Sequence, residues 1–402
     1  MSENIQVPQG WEVKKLGEVF KKVTEKNIHL KINTVLTNSA QFGVIPQNEF
    51  FDKSIATKEN IDNYYILEMD NFIYNPRISK LAPAGPISRN KYGIGCVSPL
   101  YTVFKIHSNN NINFYEFYFK SNLWNRQAYN IANFGARFDR MNITDKDFFN
   151  MPIPVPPLEE QKKIAEILSL WDKAIEQTKE LIAYKEKQKK GLMQALLTGK
   201  KRLNGFTDKW KTIKLGECFK FLRGEGLSKE MLDNNGKNYC ILYGELYTTY
   251  SEVISDIVSK TNYTTSILSK NGDVLIPCST TTKAIDLATA SSIKIDNILI
   301  GGDINILRPT IDINSDFIAY YITNIIKKKI ATYAQGTTII HLYGKDIKPI
   351  KIKIPTINEQ NLIINIIKNA DEEIQLLNKQ LELYTEQKKG LMQNLLTGKV
   401  RV

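Results

Sequence analysis

Polar side chains that can hydrogen-bond to nucleic acid are clustered in two parts of the sequence. Arginine and lysine suit phosphate oxygens, and arginine, lysine, glutamine and threonine can also reach base edges in a groove. In the first half the candidates lie in loops between predicted strands: Arg77, Lys80, Arg89, Lys91, Tyr92, Arg137 and Arg140. In the second half they are Thr280, Thr281, Lys283, Gln335, Thr337 and Thr338. Taken singly, each is better explained as a solvated surface residue, and only the clustering favours an interface.

Motifs for catalysis or cofactor binding are missing from this sequence. It contains neither the phosphate-binding loop G-x-x-x-x-G-K-[ST] nor the dinucleotide-binding turn G-x-G-x-x-G. The three histidines, His29, His107 and His341, are isolated, with no metal-ligand spacing and no neighbouring nucleophile. These observations favour a binding protein over an enzyme.

The cysteines and the hydropathy indicate a cytoplasmic protein. The four cysteines are scattered without a C-x-x-C pair, which is typical of buried thiols in a reducing compartment. No apolar run is long enough to span a bilayer, and the sequence does not begin with a signal peptide. We therefore expect the cytoplasm as its location.

The charge balance favours a polyanionic partner. The 402 residues include 54 lysines and arginines against 42 aspartates and glutamates, a formal net charge of +12. Residues 1–199 contribute +5 and residues 200–402 contribute +7, so both halves are basic. Cationic side chains that neutralise phosphates release counterions, which favours binding to nucleic acid. A lysine-rich background composition is the alternative explanation.

The sequence repeats itself with a period of 199 residues. KKGLMQALLTGKKRL (189–203) and KKGLMQNLLTGKVRV (388–402) are identical at twelve of fifteen positions. The same offset places Trp11 on Trp210, KLGEVF (15–20) on KLGECF (214–219), and Glu160-Gln161 on Glu359-Gln360. Between these repeated segments, which we call the frame, residues 21–140 and 220–335 have diverged. The pattern predicts an internal duplication in which one frame holds two different globules.

The diverged blocks have the pattern of mixed α/β globules of roughly 150 residues each. Short strands are predicted at GDVLIP (272–277), NILIGGDINILRP (297–309) and PIKIKIP (349–355). Helical segments are predicted at residues 114–132 and 315–334.

Each frame block predicts a long helix that packs along an apolar seam. Apolar residues recur at alternating spacings of four and three, which is typical of helices packed on each other. The residues of this seam are Ile164, Leu168, Trp171, Ile175 and Ile182 in the first copy, and Ile363, Ile367, Ile374, Leu377 and Leu381 in the second. Gly191 and Gly390 predict a bend or a close contact, because glycine within a helix costs roughly 1 kcal/mol relative to alanine. Gly199 and Gly398 occupy C-cap positions.

The frame resembles the conserved regions of type I restriction-modification specificity subunits. The matching text is PLEEQKKIAEIL (157–168), the KKGLMQ helix ends, the openings GWEVKKLGEVF (10–20) and DKWKTIKLGECF (208–219), and GTTIIHLYGKDIKPIKIKIPTINEQ (336–360). The resemblance covers essentially the whole chain. It implies an α+β fold in which two mixed α/β target-recognition domains are separated by two long antiparallel coiled-coil helices with pseudo-twofold symmetry. The implied domains are residues 1–155 and 200–354, and the implied spacer regions are residues 156–199 and 355–402.

The same resemblance implies the function and the partners. Each recognition domain would bind one half of a bipartite, asymmetric site in double-stranded DNA. Two methyltransferase subunits, and restriction subunits in some complexes, would dock on the chain. The chain itself would be non-catalytic and bind no cofactor, because S-adenosylmethionine belongs to the methyltransferase. A stand-alone DNA-binding protein and a protein-binding helical scaffold are the alternatives.

The two copies of the end motif differ in their downstream sequence. Lys201-Arg202-Leu203 continues into the second globule, whereas Val400-Arg401-Val402 is followed by no further residue of this sequence. Val400-Arg401-Val402 therefore has nothing left to connect, and the motif is interpreted as frame.

Overall fold

The computed structural model describes residues 5–50, 61–133, 139–264 and 267–402. Its contacts divide the chain into two compact units. Unit 1 comprises Met1–Lys179 and Lys379–Val402, and unit 2 comprises Glu180–Asn378. Each unit therefore contains one globule together with segments of both long helices. The finer division into two recognition domains and two spacer regions stays a prediction.

Unit 1 consists of short strands and helices that precede the first long helix. Its strands are β1 (Glu12–Lys15), β2 (Phe20–Lys22), β3 (Leu36–Ser39), β4 (Gly43–Pro46), β5 (Tyr65–Leu67), β6 (Phe72–Tyr74), β7 (Ile87–Arg89), β8 (Gly95–Val97), β9 (Thr102–Ile106) and β10 (Pro152–Val155). Its helices are α1 (Leu16–Val19), α2 (Gln47–Phe50), α3 (Ile112–Lys120), α4 (Asn125–Ile131) and α5 (Asp145–Asn150), with a 3₁₀ turn at Ile28–Leu30. The first long helix, α6, spans Leu158–Leu197.

The core of unit 1 is aromatic and lies between a sheet and α3. The sheet has four antiparallel strands in the order β2-β9-β6-β7, and the pairs β3-β4, β5-β8 and β1-β10 surround it. The ring centroid of Phe20 lies 5.1–5.8 Å from those of Phe72, Phe104, Tyr115 and Phe119. Most of these pairs are edge-to-face, which is a preferred geometry for aromatic rings.

Unit 2 follows the same general plan with more strands. They are β11 (Lys211–Lys214), β12 (Phe219–Arg223), β13 (Asn238–Ile241), β14 (Val253–Ile254), β15 (Ser259–Thr261), β16 (Val274–Pro277), β17 (Ser279–Thr280), β18 (Ser291–Ile293), β19 (Leu299–Ile300), β20 (Ile304–Pro309), β21 (Ile340–His341) and β22 (Lys351–Ile354). The helices are α7 (Leu215–Cys218), α8 (Glu245–Thr248), α9 (Ser315–Asn324), α10 (Lys327–Ala331), α11 (Gly344–Ile347) and α12 (Ile357–Leu395), with 3₁₀ turns at Lys229–Met231 and Ala284–Ala288.

The core of unit 2 is mainly aliphatic. Its largest sheet has the order β12-β20-β16-β18-β14, beside the sheets β15-β13-β19, β17-β21 and β11-β22. Leu215, Ile276, Leu307, Ile318 and Ile364 are buried together in one cluster. The antiparallel pair β16-β20 corresponds in order to β6-β9 of unit 1. The predicted α+β duplication is confirmed. The two globules have similar strand orders in their main sheets but different side chains in their cores.

Two predicted helical stretches are each divided into two helices. Both α3 and α9 begin at an asparagine whose side chain caps the first turn: Asn111 accepts from the backbone N–H of Phe114, and Asn314 from that of Phe317. Such a cap satisfies a donor that has no partner within the helix. α3 ends where the hydroxyl of Ser121 donates to the carbonyl of Tyr118 at 2.6 Å. The polar cap and this competing hydroxyl are local signals that hydrophobic periodicity does not reveal.

The long helices run antiparallel to each other within each unit. In unit 1 the rings of Trp171 and Tyr384 are 5.5 Å apart, and Lys388 forms an ion pair with Asp172. In unit 2 Lys189 forms an ion pair with Asp371, the same two positions shifted by 199 residues. α6 contains 40 residues, which corresponds to about 60 Å. Within the described residues, no helix combines the length and the apolar content needed to cross a membrane.

The glycines of the end motif behave differently from one another. Gly199 and Gly398 have φ values of 69° and 68°, so they adopt the left-handed C-cap conformation predicted for them. Gly191 and Gly390 lie within continuous helix, and a Cβ at either position would meet no described atom within 4 Å. The predicted close contact at these two glycines is therefore wrong.

Candidate nucleic-acid interface

Glu160, at the start of α6, joins three distant parts of unit 1. Its carboxylate accepts two hydrogen bonds from the guanidinium of Arg401, at 2.6 and 2.8 Å, and one from the indole Nε1 of Trp11 at 3.0 Å. Burial alone would raise the pKa of this carboxyl, but the hydrogen bonds from Arg401 and Trp11 hold it below its ordinary value. Arg401 therefore links the residues that follow α12 to the start of α6.

Unit 2 contains the same arrangement shifted by 199 residues. Arg202 donates to both oxygens of Glu359, at 2.7 and 2.8 Å. The guanidinium also lies over the ring of Trp210, with 5.9 Å to the ring centroid. The indole Nε1 of Trp210, however, is buried and has no hydrogen-bond partner among the described residues. The two units thus share the ion pair but not the tryptophan hydrogen bond.

The glutamine that follows each glutamate attaches the globule to the long helix. Gln161 accepts from the backbone N–H of Asn111 at 2.8 Å, and Gln360 accepts from that of Asn314 at 2.9 Å. These asparagines cap α3 and α9. The repeated Glu-Gln pair is therefore a structural joint between the globule and the long helix.

In unit 1 the frame positions a pair of polar loops at the end of β6. Residues 75–80 lie against residues 139–142, and Arg77 and Arg140 face each other in an antiparallel bridge. The backbone N–H of Met141 donates to the carbonyl of Pro76 at 2.8 Å, and that of Ile78 to Asp139 at 3.0 Å. We call these segments the loop pair of unit 1.

Unit 2 has a loop pair in the equivalent place, at the end of β16. It consists of residues 278–283 and 335–342, where Thr280 pairs with Ile340 and Ser279 pairs with His341 in the β17-β21 ladder. The backbone N–H of Leu342 donates to the carbonyl of Cys278 at 2.8 Å. The structure therefore brings together predicted residues that are far apart in sequence, and it does so at corresponding sites in both units.

A groove lies beside the loop pair of unit 1. Both arginines line it, together with amides and hydroxyls that include Asn38, Gln41 and Tyr101, and none of its described lining residues is an aspartate or glutamate. We call it the arginine groove. Such a lining donates hydrogen bonds and carries positive charge, which suits an acceptor-rich, anionic ligand.

Two of the predicted DNA contacts, Arg89 and Lys91, belong to a second groove of unit 1. The guanidinium of Arg89 is 2.6 Å from Asp70 and 3.2 Å from the buried carboxylate of Glu116, and Lys91 is 2.8 Å from Glu116. Burial would raise the pKa of Glu116, but the hydrogen bonds from Lys120 and Lys91 hold it below its ordinary value. Arg89 is therefore ion-paired with two carboxylates at this groove.

In unit 2 the predicted threonines divide into inner and outer residues. Thr280 is buried, and its hydroxyl lies 2.8 Å from that of Thr282. Thr337 and Thr338 are exposed between Gln335 and the β21 strand. Gln335 is exposed and exchanges backbone hydrogen bonds with His341 at 2.7 and 2.8 Å.

The remaining predicted contacts occupy the surface. Lys80, Tyr92, Thr281 and Lys283 are exposed. Arg137 lies outside the described residues. The DNA-binding role of every predicted residue stays a prediction.

The ten predicted seam residues are all at least partly covered. Ile164, Leu168, Ile182, Ile363 and Ile367 are buried, and Trp171, Ile175, Ile374, Leu377 and Leu381 are half-buried. Ile164 and Leu168 belong to the core of unit 1, and Ile363 and Ile367 belong to that of unit 2. The N-terminal part of each long helix is therefore packed in the core of its unit, and the part that follows packs against the other long helix.

Several residues of the two sites were not identified from sequence. Asn38, Gln41 and Tyr101 line the arginine groove although they come from β3, from the turn between β3 and β4, and from the segment before β9. In unit 2, the rings of His341 and Tyr343 stack 5.7 Å apart beside the ladder. No sequence signal marks the first three, because only strand pairing brings them next to residues 75–80.

The sequence matches the family described as type I restriction modification DNA specificity domain twice, at residues 8–184 and 207–383. A Methanocaldococcus jannaschii protein assigned as the MjaX specificity subunit of a type I restriction enzyme is 27% identical over 275 residues. That match covers 66% of this chain and 63% of the relative, which is less than two thirds of its length. The type I restriction enzyme MjaVIII specificity subunit of the same organism is 27% identical over 423 residues, covering 99% of this chain and 95% of the relative.

Solved structures have the same fold. The HsdS subunit from Thermoanaerobacter tengcongensis matches with a TM-score of 0.56 at 16% identity over 100% of both chains. A chain from a study of complex assembly and conformational transition of the type I R-M system matches with a TM-score of 0.63 at 16% identity, covering 98% of this chain and 100% of that one. At this level of identity, the likeness shows the fold.

Proposed function

The chain belongs to the type I restriction modification DNA specificity domain family, and from this premise we propose that it selects the DNA sequence on which a type I restriction-modification complex acts. It binds a bipartite, asymmetric site in double-stranded DNA, one half-site to each unit. It contributes no catalytic group and binds no cofactor, because methyl transfer from S-adenosylmethionine is carried out by the partner methyltransferase.

The observation that carries this proposal is the pair of equivalent loop sites with different side chains. The loop pair of unit 1 presents Arg77 and Arg140, whereas the corresponding bridge of unit 2 pairs Thr280 with Ile340. A duplicated frame with identical joints and unlike loops suits recognition of two unlike half-sites. The DNA contacts named from the sequence fall on or beside these loops, apart from Arg89, Lys91 and Tyr92 near the second groove and Arg137.

We propose that the long helices set the spacing between the two half-sites. Half-sites one turn of DNA apart are separated by about 34 Å, and α6 is about 60 Å long. Once one half-site is bound, a rigid spacer makes binding of the second effectively intramolecular. We therefore propose that the target contains a gap of defined length between its half-sites.

The partners are methyltransferase subunits, two per chain in keeping with the duplicated frame, and restriction subunits in the complete complex. The structural relative from a study of type I R-M complex assembly supports such partners. The proposed location is the cytoplasm, where the host DNA is accessible.

The first test is to recover the complex from the native host and select duplexes from a random library. We expect a methyltransferase to co-purify, a two-part motif with a constant gap to be enriched, and the affinity to fall steeply with added salt. Enrichment of a motif without any methyltransferase would favour a stand-alone DNA-binding protein. A complex that enriches no DNA and shows no salt dependence would favour a protein scaffold.

A second test exchanges residues 1–155 for the corresponding part of another family member. The methylated motif, determined by single-molecule sequencing, should change in one half-site only. A change in both half-sites would contradict one-unit, one-half-site recognition.

A further inference from the structure

The arginine groove places two cations opposite each other, and among the described residues only one of them is paired with a carboxylate. Directly opposed residues of an antiparallel bridge point to the same face, with Cβ atoms about 5 Å apart, and like charges there repel. Within the described part of the chain, the guanidinium of Arg77 has no ion pair, and Arg140 has only Asp139 at 3.7 Å. This repulsion is relieved when an acceptor-rich ligand lies between the two side chains.

One oxygen of a buried side-chain amide in the same groove has no hydrogen-bond partner in the described part of the chain. Asn38 is 2% exposed, and its Nδ2 donates to the carbonyls of Ile73 and Pro86, both at 2.9 Å. These two donations fix the amide orientation, and Oδ1 is left without a hydrogen bond among the described residues. A buried acceptor without a donor is unfavourable, so a water carried in with the ligand would complete the site.

The loop that carries Arg77 is held in place before any ligand arrives. The backbone N–H of Arg77 donates to the side chain of Asn75 at 3.0 Å, and the amide of Asn75 donates to the carbonyl of Asn38 at 3.0 Å. The arginine therefore projects from a fixed loop, which lowers the conformational entropy lost on binding.

We propose that the arginine groove recognises a guanine in the half-site of unit 1, with Arg77 donating to its N7 and O6 atoms. The inference rests on the proposed function and adds a base and a residue to it. Guanine alone presents two acceptors side by side in the major groove, and the arginine fork matches their spacing. Arg140, already beside Asp139, contacts the neighbouring phosphate. The threonine and isoleucine of the equivalent bridge in unit 2 cannot form this contact, so the two half-sites differ at this position.

The test measures binding of the complex with its co-purified methyltransferase to the selected duplex. Each guanine of the half-site of unit 1 is replaced in turn by 7-deazaguanine, which lacks the N7 acceptor. At one guanine, replacement by 7-deazaguanine should lower the affinity of the wild type roughly tenfold. The same replacement should not lower the affinity of the Arg77→Gln variant, because that variant no longer has the arginine that contacts N7. Lys21→Gln, which removes an exposed cation of β2 outside the loop pair, is the matched control and should keep the tenfold loss.

The same experiment shows whether the variant is folded. A folded Arg77→Gln complex must still select the half-site of unit 2. If no guanine in the half-site of unit 1 responds to 7-deazaguanine, or if Arg77→Gln leaves the response unchanged, the inference is wrong while the proposed function stands. If the complex selects no DNA at all, the proposed function fails and the inference fails with it.

Discussion

Arg401 and Glu160 form a bidentate ion pair although 241 residues separate them in sequence. Arg202 and Glu359 form its twin in unit 2. In each case the arginine follows the end of one long helix and the glutamate begins the other. A buried carboxylate that loses its cation is strongly unfavourable, so each ion pair should stabilise the unit in which it lies.

Substitution of either arginine should therefore loosen one unit only. We expect Arg401→Ala to speed amide hydrogen exchange at the start of unit 1 and of α6, and Arg202→Ala to do the same in unit 2 at the start of α12. Lys399→Ala, an exposed neighbour in the same motif, serves as the control and should change neither. Equal acceleration in both units by Arg401→Ala would contradict a local role.

The stability of unit 1 should depend on pH through Glu160. Its folded pKa lies below the ordinary value of 4.5, so the paired carboxylate stabilises the folded state above that value. This contribution is lost as the pH falls through the folded pKa. In the Arg401→Ala variant the main lowering effect on the pKa of Glu160 is removed, and burial raises this pKa. The loss of unit 1 stability in acid should therefore be smaller than in the wild type, or reversed. Urea titrations between pH 3 and about 7 compare the two proteins, and parallel pH profiles would argue against the pairing.

The two tryptophans of the frame should respond differently to the same substitution. Trp11→Phe removes a hydrogen bond to a charged carboxylate, whereas Trp210→Phe removes a buried donor that has no partner among the described residues. The lost ring volume is the same, so Trp11→Phe should be the more destabilising by roughly 1–2 kcal/mol. Opening free energies of each unit from native-state hydrogen exchange measure this difference. Equal losses would mean that the indole bond to Glu160 contributes nothing.

Alanine at the two helix glycines should stabilise the chain. No described atom would contact the added Cβ of Gly191→Ala or Gly390→Ala, and alanine is favoured over glycine in a helix by about 1 kcal/mol. Each variant should raise the urea midpoint, and the double variant should show the sum because the positions lie in different units. Destabilisation by either would indicate a contact that the isolated chain lacks.

Much of the frame was predictable because its signals are local or repeated. The end-motif repeat revealed the duplication, the four-three spacing of residues such as Leu168 and Ile367 predicted long helices, and Gly199 and Gly398 predicted their C-caps. These signals depend on neighbours within one or two turns, or on comparison of one half with the other. The α+β class followed from strand patterns such as PIKIKIP.

The sites were harder to predict because their partners come from distant segments. Arg89 has the residue type of a DNA contact, yet it is committed to Asp70 and Glu116. Thr280 lies in a polar stretch, yet strand pairing buries it. Arg401 gave no sign of its role, since its partner begins a helix 241 residues earlier. Residue type suggests what a side chain can do, and only the pairing of strands and helices decides what it faces.

The contrast between the aromatic core of unit 1 and the aliphatic core of unit 2 makes the two halves optically distinguishable. The rings packed around Phe20, together with the buried Tyr118 and Trp124, sit in a fixed asymmetric environment. Near-ultraviolet circular dichroism should therefore be dominated by unit 1, while the far-ultraviolet signal follows the helices and strands of both. Melting recorded at the two wavelengths would then separate the loss of one half from the loss of the other in a single unlabelled sample.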